Sequence, residues 1–189
     1  MESQTPQQIL DSRNENQVCY VTSLLGMQAL SQEIINRNLN VISIREPEFD
    51  RDDNLEEQYS EIDALHVGRC FSVEFRDVSN DNGLGFAPTI KHIKSILDWS
   101  KKQYSDNGNM FMVHCFAGVS RSSSVAMLIN YMVNGDLFAT YDVRYHSPNK
   151  LILEFGAEIL GFDCIAAINK IKTVSNAYFA GDEYKYEIF

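Results

Sequence analysis

The chain is poor in the features that send a protein to a membrane, a secreted scaffold or a nucleic acid. No apolar run among its 189 residues approaches the ~20 needed to span a bilayer, and the richest stretches lie around 125–133 and 165–171. The opening Met1-Glu2-Ser3-Gln4-Thr5-Pro6-Gln7-Gln8 lacks the basic start and apolar core of a signal peptide, so no membrane partner and a cytoplasmic protein are expected. The four cysteines, Cys19, Cys70, Cys115 and Cys164, are scattered, with no Cys-x-x-Cys pair and no paired histidines. That excludes a dense disulfide framework and the common zinc patterns. Positive charge is short as well: 16 Lys and Arg face 26 Asp and Glu, a net −10. Gripping nucleic-acid phosphates needs the opposite excess, so no nucleic-acid partner is expected, although one small cationic pocket remains compatible.

What is present is an ordinary globular composition, 44% hydrophobic and 22% charged, too apolar for a disordered chain. No repeat and no Gly/Ser/Pro-rich linker divides it. One domain over 18–175 is expected, with an extension at 1–17 and an aromatic tail at 176–189.

Short β-branched runs alternate with stretches of helical period, the pattern of an α/β fold with a central, mainly parallel sheet flanked by helices. Strands are predicted at 18–22, 41–44, 69–75 and 110–113, and helices at 24–37, from Pro88 to Tyr104, 122–133, 148–160 and 163–171. The segment 45–63 is dense in Asp and Glu and reads as a solvated loop with at most a helical turn. A polar loop runs from Asp77 to Gly85, and 105–109 reads as a turn.

Between the last buried strand and its helix lies His114-Cys115-Phe116-Ala117-Gly118-Val119-Ser120-Arg121-Ser122. Open α/β sheets bind ligands beyond the carboxyl ends of their strands, and a helix N-terminus presents unpaired N–H groups to an anion. A tight loop of Phe116, Ala117, Gly118, Val119 and Ser120 can form a nest of N–H groups around a tetrahedral oxyanion. Gly118 lets the backbone turn, and Arg121 can close the bowl with a bidentate fork that Lys could not reproduce. The same positive field favours thiolate at Cys115. Phosphate site and nucleophile coincide.

His-Cys-x5-Arg-Ser resembles the signature of the cysteine-dependent protein tyrosine phosphatases, and Ala-Gly-Val-Ser-Arg-Ser is most similar to their dual-specificity branch. Phe75-Arg76-Asp77 at a strand end is similar to the family's general-acid segment, and Arg144-Tyr145-His146-Ser147-Pro148-Asn149 to the segment after its phosphate-loop helix. The likeness covers 18–160. It implies hydrolysis of phosphotyrosine, and of phosphoserine or phosphothreonine in the wider case, in a phosphorylated protein or peptide through a phosphocysteine. Cys115 is then the nucleophile, Arg121 the clamp on phosphate, residues 116–120 the cradle, and Ser122 the hydroxyl that eases departure of the thiolate. His114 orders the loop through hydrogen bonds, and neither metal nor cofactor is implied. Two residues compete for the acid: Asp77 ends the strand, whereas Asp81 has a spacing to Cys115 nearer the family's. Strand-end context favours Asp77. The alternatives are a catalytically silent phosphoresidue-binding module and a phosphatase of a non-protein ester. The uncharged Phe-Ala-Gly-Val-Ser stretch disfavours the latter. Cys19, Cys70 and Cys164 read as small buried hydrophobes, and His66, His92 and His146 as structural or surface residues.

Overall fold

A computed structural model describes residues 17–78 and 85–180. Four parallel strands, β1 (Cys19–Ser23), β2 (Asn40–Arg45), β3 (Cys70–Glu74) and β4 (Phe111–Cys115), form one sheet in the order β1-β4-β2-β3. The α/β architecture expected from the sequence is the one observed. Among the described residues six helices accompany the sheet: α1 (Leu24–Asn36), α2 (Asp53–Leu65), α3 (Ile90–Asn107), α4 (Arg121–Asn134), α5 (Lys150–Leu160) and α6 (Cys164–Phe179).

Strand side chains alternate between faces, so the sheet feeds two cores. Tyr20, Val41 and Met112 pack with Leu30 and Ile34 of α1 and Tyr59 and Ile62 of α2. Ile42, Ile44, Phe111, Val113 and Cys115 face the other core, with Ile93 and Ile96 of α3, Val125 to Ile129 of α4, and Ile152 and Leu153 of α5. β4 is wholly buried because it is sandwiched between layers and lies between β1 and β2. Trp99 is half-buried and bridges Phe71 and Phe111, with ring centroids 5.4 and 6.3 Å away.

The acidic segment 45–63 departs from expectation: it holds a short 3-10 turn at Glu48–Asp50 and most of the thirteen-residue helix α2. Asp52 caps that helix by accepting from the Leu55 N–H at 2.8 Å. Leu55, Tyr59 and Ile62, spaced by four and three residues, supply the buried stripe, and the carboxylates ride on the opposite face. Arg45 and Arg51 both stack on the Tyr59 ring, 4.9 and 5.3 Å from its centroid. Smaller shifts occur elsewhere. Thr89, not Pro88, caps α3, and the predicted turn at 105–109 is the last turn of α3 plus Gly108, whose φ of 64° ends it. α6 extends about two turns beyond residue 171, to Phe179.

Candidate active site

β4 delivers Cys115 to the carboxyl edge of the sheet, where the chain leaves β1 on one side and β2 on the other. Ser23 is in register with Cys115, and Ser43 with His114. The loop 116–120 then turns into α4, whose first residue is Arg121.

The loop carbonyls are held outward. Leu24 N–H donates to the Phe116 carbonyl at 3.1 Å and Ser147 N–H to the Val119 carbonyl at 3.0 Å. The Ser123 hydroxyl donates to the carbonyls of Val119 and Ser120 at 2.6 and 2.9 Å. No N–H of residues 116–120 donates to a backbone acceptor among the described residues, the arrangement expected of an anion nest. Gly118 has φ 74°, and a Cβ there would meet the backbone at Ser23 N (2.6 Å) and Thr22 C and O (2.7 and 2.8 Å). Conformation and space both demand glycine at this position.

Cys115 is 1% exposed, and its Sγ lies 3.2 Å from Oγ of the buried Ser122. The other three cysteines are held as thiols by burial, which raises the pKa of Cys19 and Cys164 and pushes Cys70 up to about 11. Cys19 is buried as expected, whereas Cys70 and Cys164 are half-buried.

Arg121 is 3% exposed. One terminal nitrogen donates to the Phe75 carbonyl at 2.9 Å and the other to the Glu46 carboxylate. Nε is buried, 4.0 Å from Oδ2 of Asp77, and has no hydrogen-bond partner among the described residues. Burial opposes the guanidinium charge, but Glu46, Cys115 and Asp77 outweigh it and raise its pKa. A buried, charged N–H without a hydrogen-bond partner, beside a loop whose N–H groups have no backbone acceptor among the described residues, can receive an oxyanion.

Asp77 closes the site from the sheet side. Ser120 stands at the N-cap of α4 without capping it; its hydroxyl donates to Asp77 Oδ1 at 2.8 Å instead. Asn149 Nδ2 donates to the same oxygen at 2.9 Å and to the Val78 carbonyl at 3.0 Å. Asp81, the rival acid, lies outside the described residues. The neck of the Asp77 loop is pinned by the Arg76 N–H on the Phe86 carbonyl (2.7 Å) and by the two-point Arg76–Asp50 ion pair (2.7 and 2.8 Å).

His114, one residue before Cys115, is fully buried, and the contact of its ring with the Cys115 backbone is looser than an ideal hydrogen bond. Burial first, then Arg45, drives its pKa down to about 3 against the raising effect of that backbone contact, so at neutral pH the ring is uncharged. The other histidines are structural: His92 Nδ1 accepts from Thr89 N–H in the α3 capping box, His146 Nδ1 accepts from Asp142 N–H, and His66 is buried.

Sequence reasoning misses Glu46 and Asn149. Glu46 lies among other acids, and Asn149 enters only through a resemblance; each meets its partner from more than 70 residues away in the chain. Among the described residues no three His, Cys, Asp or Glu side chains stand together as metal ligands, and no helix is long and apolar enough to cross a membrane.

No family model and no curated protein matches the sequence. Solved structures do. The chain is similar to PTPMT1 in complex with PI(5)P, at 15% identity and TM-score 0.53, over 79% of this chain and 96% of that one. It is similar to the human tyrosine phosphatase-like serine/threonine/tyrosine-interacting protein, at 13% identity and TM-score 0.52, over 75% and 90%. The PTP-2 phosphatase of Cydia pomonella aligns at 17% identity and TM-score 0.51, over 76% and 86%. With its strand order, helical layers and strand-loop-helix nest, the chain has the fold of the cysteine-dependent protein tyrosine and dual-specificity phosphatases.

Proposed function

We propose that this protein is a phosphomonoester hydrolase acting on phosphotyrosine in proteins, with phosphoserine and phosphothreonine as the wider range, through a phosphocysteine. The observation that carries the reading is the unpartnered Arg121 Nε, buried between Asp77 and the nest that starts at Cys115.

In the first step the Cys115 thiolate attacks phosphorus in line with the ester oxygen. The S–P bond forms as the P–O bond breaks, and the protonated Asp77 carboxyl gives its proton to the departing oxygen. Arg121 and the N–H groups of residues 116–120 hold the three equatorial oxygens, supplying most of the charge stabilisation. In the second step Asp77, now a carboxylate, takes a proton from a water that attacks phosphorus. The P–S bond breaks, and the Ser122 hydroxyl, 3.2 Å from Sγ, donates to the leaving thiolate.

Two neighbours suggest other readings. PTPMT1 was solved with PI(5)P, which carries a diester phosphate beside its monoester; here the Phe-Ala-Gly-Val-Ser stretch adds no cation to the loop for a second phosphate, which favours a ligand with one phosphate in all. A tyrosine phosphatase-like interacting protein suggests a binding module, but the presence of Cys115, Arg121 and Ser122, with Ser122 Oγ 3.2 Å from Cys115 Sγ, supports chemistry over binding alone. The test is phosphate release from an aryl phosphate and from phosphotyrosine and phosphothreonine peptides. Turnover abolished by Cys115→Ser supports the proposal. Tight phosphopeptide binding by the unaltered protein, with no turnover, overturns it.

A further inference from the structure

Beside the nest, between the start of α1 and the start of α2, lies an open cleft of about 840 Å3. It meets the phosphate loop at Phe116, and its apolar surface is supplied by Phe116, Leu25 and Leu55. Leu25 and Phe116 are 71% and 56% exposed, an unusual outlay of apolar surface next to a polar site. Its charged lining consists of Glu46, Asp50 and Asp52, with no Lys, Arg or His.

These three carboxylates are not equivalent. The cations nearby are already matched: Arg121 by Glu46, Arg76 by Asp50, and Arg51 by Glu56 and Glu74. Asp52 has no ion-pair partner among the described residues. One of its oxygens caps α2, and its side chain stands exposed at the cleft. An apolar slot with one unmatched carboxylate fits a side chain that is aliphatic along its stem and cationic at its tip. It repels a second anion placed beside the bound phosphate.

We infer that this cleft receives an arginine or lysine adjoining the phosphorylated residue of a protein substrate, its stem on Leu25, Leu55 and Phe116 and its head against Asp52. The inference rests on the phosphoresidue site proposed above and narrows its substrates to phosphopeptides with basic flanks. An acidic exterior would by itself disfavour all anionic ligands alike; the cleft makes the preference local.

The experiment uses Cys115→Ser protein and labelled phosphotyrosine peptides that differ only in carrying Arg or Glu beside the phosphotyrosine, with binding read by fluorescence anisotropy. At low salt the Arg peptide should bind about tenfold tighter, the size expected when an exposed ion pair replaces a like-charge contact. At high salt the gap should shrink to about twofold. Adding Asp52→Asn, which keeps an N-cap residue on α2, should narrow the low-salt gap to about threefold. Equal affinities, a preference for Glu, a gap unchanged by Asp52→Asn, or no binding of either peptide overturns the inference. Aryl phosphate turnover by the unaltered protein, measured alongside, reports separately on whether the phosphatase reading stands.

Discussion

Asn149 holds Asp77. One amide group donates 2.9 Å to the Asp77 carboxylate and 3.0 Å to the Val78 carbonyl, while the Asn149 amide oxygen caps α5 by accepting from Ile152 N–H at 3.2 Å. Its backbone N–H donates 2.6 Å to Ser124 of α4, so one 2%-exposed residue joins the Asp77 segment, α4 and α5.

Removing that clasp separates positioning from folding. Asn149→Ala should lower stability by about 1 kcal/mol for the lost cap, read by urea denaturation. Asn149→Ser restores a cap but not the long reach to Asp77. Both variants should lose about tenfold in kcat on a phosphotyrosine peptide, whose leaving group needs the acid, and less on an activated aryl phosphate. Equal losses on both substrates would show that Asn149 does not act through Asp77.

Glu46 is expected to orient Arg121. Glu46→Gln keeps the shape but leaves a nearly buried guanidinium without its matching charge, a change of about 2–3 kcal/mol in stability. Inhibition by inorganic phosphate should weaken as the fork loses its anchor. Unchanged phosphate inhibition would assign Glu46 to folding alone.

Two glycines with similar φ should behave differently. Gly118 (φ 74°) faces backbone atoms of Thr22 and Ser23 at 2.6–2.8 Å, whereas Gly135 (φ 77°) has nothing within 4 Å of where a Cβ would stand. Gly135→Ala should cost only about 1 kcal/mol of stability and leave turnover intact. Gly118→Ala should displace the loop from the β1–α1 junction and abolish aryl phosphate hydrolysis. Hydrolysis surviving in Gly118→Ala would refute the close packing of the nest.

His114 should make folding sensitive to acid. Its pKa is held by burial at about 3, below the ~6.5 of the unfolded chain, so the unfolded state binds the extra proton as pH falls. The stabilisation is fully present above ~6.5 and is lost progressively on acidification until the folded pKa is reached. Between pH 7 and pH 5 the loss from this residue is about 2 kcal/mol. Denaturation of the natural protein and of His114→Gln at both pH values should show a shallower fall in the variant; parallel falls would assign the effect elsewhere, beginning with His146, whose pKa burial pushes down to about 4.

The central strand and the strand-loop-helix turn that carries Cys115 are legible in the sequence, because Cys115, Gly118, Arg121 and Ser122 lie within one contiguous turn whose geometry follows from local rules. α2 is not, because the acids of 45–63 mask the Leu55, Tyr59 and Ile62 stripe that buries it. Charge density says where solvent is; it does not say whether a backbone is helical.

By itself the sequence determined the alternation of strand and helix and the position and residue types of the loop from Cys115 to Arg121. Only the tertiary structure decided that Asp77 bonds to Ser120 of that loop, that Glu46 rather than another of its acidic neighbours meets Arg121, that Asn149 clasps Asp77, and that an acidic, apolar-walled cleft opens beside the nest. The physical reason is distance along the chain. Local dihedral and packing preferences act over one turn, whereas hydrogen bonds between segments more than 40 residues apart exist only once the sheet has brought the ends of β2, β3 and β4 together.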